Sequence, residues 1–541
     1  MGEENGSQPR ETSRETQREA LGGQSDAARP WTAFATPLIG KAVRGASRLL
    51  RHGGSAFPGK IVEQIDPGFL ARTLADLPYG VVLVSGTNGK TTTTRMVASM
   101  LETLGLKVFT NPTGSNFVRG VVSALLTEVT LGGKLDADIA VLELDEAYAV
   151  HFVKQVKPRY ALLLNVMRDQ LDRFGEIDTT AKLLSHVAAA TTGTVVLNRE
   201  DPRIAALAAK APAGTTVRYF GLADDLRRYF PSDDDMATTV SVEGVAGPLP
   251  SARTPLSPRS ELRGASAGTA ELPADVTLTA VGDHKATFQM DGQGYATDVK
   301  LEGVYNLYNA AAALAVVRAV AADAQAMFLP FEDALTDSVD ADGADTGTET
   351  DGNGSHDAID QAAADEILRA AGVSPRMIAF AHATTQAMID TAGEVTPAFG
   401  RGEVITVNGT PVELLLVKNP MGFRLSLASF KPEGCDTMIC INDEYADGRD
   451  MSWLWDVDFT SLRGTGVKAV SGVRAWDMAL RLEYDQVPVE SVSTDLEESV
   501  VNFVNANSGT PKHIYCTYTA MLKTRAALAK IADVADAGVG K

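Results

Sequence analysis

The chain has 541 residues, 45% of them hydrophobic and 22% charged, with a formal net charge of −20 at pH 7. That length exceeds one core, so two or three domains are expected, and the acidity excludes a nucleic-acid binder, which needs a basic surface. Three cysteines, Cys435, Cys440 and Cys516, are too few for a disulfide framework and point to a reducing compartment.

Residues 1 to about 30 are polar, lack the apolar segment of a signal peptide, and read as disordered. From Thr36 to Leu50 the spacing predicts a helix with Lys41, Arg44, Arg48 and Arg51 beside Leu38, Ile39, Val43, Leu49 and Leu50. Such a helix either rests on anionic lipid or packs on a domain edge. No run reaches the length expected of a membrane span.

Val81 to Val84 form an apolar, β-branched run of the kind that makes a buried strand. Ser85 to Gly89 then give a tight turn, and Lys90 with Thr91 to Thr94 opens a helix that continues through Leu101. Strand, glycine turn, Lys-Thr and helix together make a phosphate cradle. The turn and helix N-terminus present amides, Lys90 supplies charge, and a threonine hydroxyl reaches Mg²⁺. Gly86 and Gly89 stand two residues apart, where the standard pattern has four between them.

Further strands are expected at 107–110, 137–144, 160–165 and 194–198, each apolar and ending in polar residues such as Glu143, Asn165 and Asn198. This is the pattern of a parallel α/β sheet with ligands at its carboxyl edge. Glu143 at its strand end suits a Mg²⁺ ligand beside ATP. Residues 224–275 break the rhythm and read as an inserted loop or irregular subdomain. Alternation returns over 276–290, with Gly292 and Gly294 suggesting a hairpin turn. A strong helix is expected over 303–322, followed by a second, acidic insertion at about 336–358. A smaller open sheet begins near Arg401, with strands at 412–417, 436–442 and 467–471.

GTNGKTT at 86–92, the acidic strand end at Glu143, NVMRDQLDRFGE at 165–176, LNREDP at 197–202 and GVYNLYNAAAA at 303–313 lie in the order of a Mur ligase central domain. GGSAFPGK at 53–60, AFGRGE at 398–403, VKNPMGF at 417–423, NDEYADGRDMSWLWD at 442–456, SGVRAWDMALRLEY at 471–484 and YTAML at 518–522 narrow the likeness. The chain resembles the MurT group of Mur ligases over most of residues 50–530, outside the two insertions. The resemblance implies an α/β fold: a central P-loop ATPase domain with a mostly parallel sheet and a smaller Rossmann-like C-terminal domain. It divides the chain into a tail and basic helix over 1–52, a central domain over 53–402 and a C-terminal domain over 403–541.

It further implies that Gly86, Thr87, Asn88, Gly89, Lys90, Thr91 and Thr92 hold the ATP phosphates. Thr91 and Glu143 would hold Mg²⁺, and Asn198, Asp201, Asn306 and Asn309 would border the nucleotide. Asn165 and Asp169 would line the acceptor side. Arg401 would join the two domains near the phosphates, and Lys418, Asn419 and Asp443 would close over them. The implied reaction is amidation of the D-glutamate α-carboxyl of the lipid II stem peptide through an acyl phosphate. Ammonia would come from a GatD-type glutaminase docked on the C-terminal domain, whose Cys-His pair Asp456 or Asp450 would complete. Trp453 and Trp455 beside them suit either a partner surface or aromatic core.

The implied location is the cytoplasm, at the inner face of the cell membrane. The alternatives are a Mur-type ligase adding an amino acid to a soluble precursor, and a non-catalytic nucleotide-binding activator of a glutaminase. Three departures stand out. Gln170 stands where amino-acid-adding members carry histidine, and Lys182 is badly spaced for the family's carbamylated lysine. Residues 221–275 contain no cysteine where many relatives carry a zinc ribbon, so no zinc is expected.

Overall fold

The computed structural model describes residues 35–49, 57–111, 116–167, 177–229, 272–282, 285–300, 304–341, 365–366, 368–370, 372–395, 401–444 and 446–534. Asp169, Gln170 and most of both insertions lie outside these residues. Two sheets organise the chain.

The first sheet has nine strands: β1 (Val81–Ser85), β2 (Val108–Thr110), β3 (Ile139–Glu143), β4 (Tyr160–Leu163), β5 (Thr194–Asn198), β6 (Thr216–Leu222), β7 (Val276–Gly282), β8 (Lys285–Met290) and β9 (Gln293–Asp298). Their order is β2-β3-β1-β4-β5-β6-β7-β8-β9, parallel through β7, after which β8 and β9 turn back antiparallel. β1, β3, β4 and β5 are buried along their whole length, as expected of strands covered on both faces. β8 alternates between buried and more exposed positions, while β9, the last strand of the sheet, has no buried position. The hairpin joining them turns at Asp291 and Gly292, both at positive φ, while Gly294 lies within β9.

Helices cover both faces. On one side lie α1 (Thr36–Leu49), α2 (Phe57–Ile65), α3 (Phe69–Ala75), α5 (Val118–Glu128), α6 (Glu146–Val153), α7 (Ile177–Ala190) and the single turn α8 (Pro202–Ala205). On the other lie α4 (Lys90–Thr103), α9 (Val304–Ala341), α10 (Pro375–Ala381) and α11 (Thr385–Glu394). The alanine run Ala310–Ala313 in α9 is fully buried, which brings the helix backbone close to the sheet. Contrary to the expectation that no run is long enough, residues 305–327 of α9 have the length and apolarity to cross a membrane. They are a core helix instead: they pack on α4 and on β4 to β7.

The second sheet has six strands: β10 (Arg401–Val407), β11 (Thr410–Leu416), β12 (Asp436–Cys440), β13 (Ala469–Ser471), β14 (Val492–Ser493) and β15 (Lys512–Cys516), in the order β10-β11-β15-β12-β13-β14. Only β10 is antiparallel to its neighbour. Helices α12 (Pro420–Ser429) and α13 (Ala475–Tyr484) cover one face, and α14 (Leu496–Asn505) and α15 (Tyr518–Leu528) the other.

In the first sheet β1 stands between β3 and β4, so the chain leaves it in one direction and returns on the other side. The carboxyl ends of β1, β3 and β4 therefore open on a crevice, where such sheets bind ligands. The phosphate loop follows β1, the acidic string follows β3, and Asn165 follows β4.

Candidate active site between the two lobes

The loop after β1 is shaped by its glycines. Gly86 and Gly89 have φ of 133° and 85°, which side-chain-bearing residues rarely adopt. A Cβ on Gly89 would also sit 2.6 Å from Asn309 Oδ1. Gly89 then starts α4, whose N-terminus opens directly on the loop and favours negative charge there.

Lys90 is buried and donates to Gly86 O at 2.6 Å and to Thr87 O at 3.3 Å. Its ammonium is balanced by Asp145 at 3.3 Å and Glu146 at 3.7 Å, the first residues after β3 and its flanking Leu144. A buried lysine needs such partners to stay charged. Thr91 donates to Glu143 at 2.9 Å, and the Asn111 amide holds the Glu143 backbone through two hydrogen bonds of 2.9 Å. Three carboxylates thus gather around the loop. Hard oxygen donors with surplus negative charge suit Mg²⁺ carried with a phosphate, so Thr91 and Glu143 fit the ion.

Asn165 anchors the loop from below. Its side chain accepts from Asn88 N at 2.8 Å and donates to Asn88 O at 3.0 Å, and its carbonyl accepts from Thr87 N at 3.0 Å. Thr87 Oγ1 in turn accepts from Met167 N at 3.1 Å.

The second lobe reaches the same loop. Lys418, just past β11, donates to Thr87 O at 3.1 Å. Two ammonium groups, Lys90 from one lobe and Lys418 from the other, therefore converge on one carbonyl oxygen. Asn419 is fully buried and exchanges amide hydrogen bonds with Asn88, at 2.9 and 3.3 Å. Its Oδ1 also caps α12 by accepting from Gly422 N at 2.8 Å, and Pro420 follows in the first turn. Burial pushes the Tyr518 phenol pKa up, helped by the charges of Asp447 in its own lobe and Glu143 in the other.

Beside the loop is a cavity of about 110 Å³. It is lined by Asn88, Gly89, Thr92, Tyr305, Asn306 and Asn309 from the first lobe and by residues including Leu415, Lys418, Ser426 and Phe430 from the second. Asn309 is buried there and its Nδ2 has no hydrogen-bond partner among the described residues, a cost of about 1–3 kcal/mol that a ligand acceptor would remove. An apolar wall on one side and amides on the other suit a nucleoside.

Other expected site residues stand elsewhere. Asn198 does not line this cavity: it donates to Leu164 O at 2.7 Å and accepts from Glu200 N and the Tyr308 hydroxyl. Asp201 caps α8 and accepts from Val166 N at 2.7 Å. Burial pushes its carboxyl pKa up to about 6, against the pull of three backbone N–H donors. Both residues brace the segments that carry Asn165. Asp443 is ion-paired to Arg474 at 2.8 Å. The Arg401 side chain lies outside the described residues, though its backbone starts β10.

Asp450 and Asp456 are exposed on the second lobe; Ser452 donates to Asp450 and holds its pKa below the usual range, and the Asp456 carbonyl accepts from Arg424. Trp453 is core, whereas Trp455 is 50% exposed and packs edge-on to Tyr484. Sequence reasoning missed Tyr305, which accepts from Asn165 at 3.3 Å, and the pairing of Lys90 with Asp145 and Glu146. The string LELDE at 142–146 carries the only local hint of that pairing.

Two family models match the chain: the Mur ligase middle domain over residues 84–245 and the MurT ligase C-terminal domain over 416–521. The chain is 29% identical over 497 residues to the lipid II isoglutaminyl synthase (glutamine-hydrolyzing) subunit MurT of Streptococcus pneumoniae, covering 89% of this chain and 94% of that one. The corresponding subunit of Staphylococcus aureus is 28% identical over 465 residues, covering 85% and 89%. Among solved structures, a pseudomurein peptide ligase type C from Methanothermus fervidus aligns with a TM-score of 0.51 at 15% identity, covering 83% of this chain and 78% of that one. The MurF ligase from Thermotoga maritima, solved in complex with ADP, aligns with a TM-score of 0.50 at 15% identity, covering 86% and 83%. These two structures share the fold. With both family models in chain order and the MurT subunits matched along nearly their full length, the chain carries the same two domains, a Mur ligase middle domain and a MurT ligase C-terminal domain, and is a ligase.

Proposed function

We propose that the chain is the synthetase subunit of a lipid II isoglutaminyl synthase. Its reaction converts the D-glutamate α-carboxylate of the stem peptide into an amide. The terminal phosphoryl group of ATP passes to a carboxylate oxygen and ADP leaves. Ammonia then attacks the carbonyl carbon of the acyl phosphate, inorganic phosphate departs, and the nitrogen loses a proton to solvent.

The observation that carries this reading is the convergence of Lys90 and Lys418, from separate lobes, on Thr87 O. Two cations aimed at one point stabilise a phosphoryl group in transfer by position and charge. The Asn309 amide, which has no hydrogen-bond partner among the described residues, with Asn306 beside it in the lining, favours a nucleoside in the adjoining cavity. Thr91 and Glu143 would hold Mg²⁺, which when bound neutralises phosphate charge. In this reading Asn165 and Asn419 keep the loop in shape for the acceptor, while Asp443 is held by Arg474 within the second lobe. A GatD-type glutaminase supplies the ammonia and docks on the second lobe, where Trp455, next to Asp456 in the chain, and Tyr484, packed against it, are half or more exposed. The complex works at the inner face of the cell membrane, where its lipid-linked substrate lies.

The test is to purify the chain with the glutaminase and supply ATP, glutamine and lipid II. Mass analysis of the stem peptide should show one hydroxyl replaced by an amino group. An unchanged mass while the glutaminase remains active would remove the proposal.

A further inference from the structure

Over its described side chains, residues 36–45, the N-terminal helix α1 packs on the first lobe through one face. Thr36 donates to Asp66 at 2.9 Å, and Pro37 and Gly40 are buried against neighbouring helices. A Cβ at Gly40 would sit 2.4 Å from the Leu126 side chain and 3.0 Å from Val62, so the helix packs closely there. The opposite face is apolar and exposed: Leu38 is 58% exposed, and Ile39, Ala42 and Gly45 are also open to solvent.

A second apolar tip stands beside it. The turn after α5 closes through Thr130 N to Lys134 O at 2.9 Å and carries Leu131 at 63% exposure. Gly133 of this turn abuts Pro37 of α1, where an added Cβ would be 3.4 Å from the Pro37 ring.

Charge separates this region from the rest of the chain. Between Asp26 and Glu63 there is no carboxylate, while Arg29, Lys41, Arg44, Arg48, Arg51 and Lys60 are all cationic. A chain of net charge −20 thus keeps one acid-free, basic window, and α1 lies within it. An apolar stripe on a helix of basic composition matches a surface that is apolar beneath and anionic above.

We propose that α1, with Leu131 beside it, is a docking surface for an anionic phospholipid membrane. The apolar side chains enter the headgroup boundary and the basic residues meet lipid phosphates. This deepens the proposed function by naming the segment that would bring the cleft to a lipid-linked substrate. Its measurement does not depend on that reading.

The test is co-sedimentation of the full chain with vesicles of phosphatidylcholine alone or mixed with phosphatidylglycerol. Binding should require the anionic lipid and fall as salt rises. Reversing charge at Lys41 and Arg44 should weaken it at least about fivefold per residue. The pair Leu38→Glu and Leu131→Glu should abolish binding while the unfolding temperature and ATP turnover on a soluble, short-chain substrate stay unchanged.

Equal binding to neutral vesicles, no binding, or binding indifferent to these four substitutions would overturn the proposal. So would a concentration-dependent dimer of the wild type that the Leu38→Glu and Leu131→Glu pair dissolves, since the face would then seat a second copy. Vesicle binding without amidation would sink the proposed function alone, and amidation without vesicle binding would sink the docking surface alone.

Discussion

The two lobes contribute one lysine each to the same carbonyl oxygen, by different means. Lys90 opens a helix on a glycine loop, is buried, and is held by Asp145 and Glu146 of its own lobe. Lys418 leaves the end of β11, is half-buried, and reaches Thr87 O across the cleft. The first lobe is therefore a site shaped within one sheet, while the second completes it only when the lobes meet. The Asn88–Asn419 amide pair is the fastening that holds them together.

Removing each part separates these roles. Lys90→Ala should have the largest effect, lowering ATP-dependent turnover by about a thousandfold and also lowering the unfolding temperature, because Asp145 and Glu146 lose their buried partner. Turnover near wild type would mean that the loop does not serve phosphate. Lys418→Ala should cost less, about a hundredfold, chiefly in kcat, because nucleotide still binds the first lobe. A loss confined to nucleotide affinity would place Lys418 in ground-state binding.

Asn88→Ala, Asn419→Ala and the double variant form a cycle whose coupling should be about 1 kcal/mol, or roughly fivefold in kcat/KM. Strict additivity would show that the amide pair does not hold the lobes together. A separate effect, on stability rather than turnover, concerns Asp201. Its carboxyl pKa is raised to about 6 in the folded chain, so its contribution to stability is full below the ordinary carboxylate range and is lost as pH rises through 6. In thermal unfolding, wild type should lose stability relative to Asp201→Asn between pH 4.5 and 7, on the order of 1–3 kcal/mol. A difference that is flat or grows with pH would contradict that sign.

Legibility followed the distance along the chain over which each feature is built. β1, β5 and the start of α9 were readable because buried parallel strands and core helices are unbroken apolar runs. β15 was not, because Lys512 and His513 interrupt it. Both are buried, Lys512 beside Asp436 at 2.9 Å and His513 beside Glu413 at 3.0 Å, and those partners come from other strands. The β10–β11 hairpin turns on Asn408 and Gly409, both at positive φ, a two-residue signal present in the sequence but passed over. The phosphate loop was legible because it is local. Its link to Lys418 spans 331 residues, so only the family resemblance suggested it. Asn198 and Asp201 show the converse: polar strand ends look alike in sequence whether they face a ligand or brace a loop.

The central claim is that a nucleotide's terminal phosphate lies between Lys90 and Lys418. A crystal structure with a non-hydrolysable ATP analogue tests it most directly. Both ammonium groups should lie within hydrogen-bonding distance of the γ-phosphate, with the base in the cavity beside Asn309. A nucleotide bound away from the loop, or a γ-phosphate met by Lys90 while Lys418 faces solvent, would contradict the account.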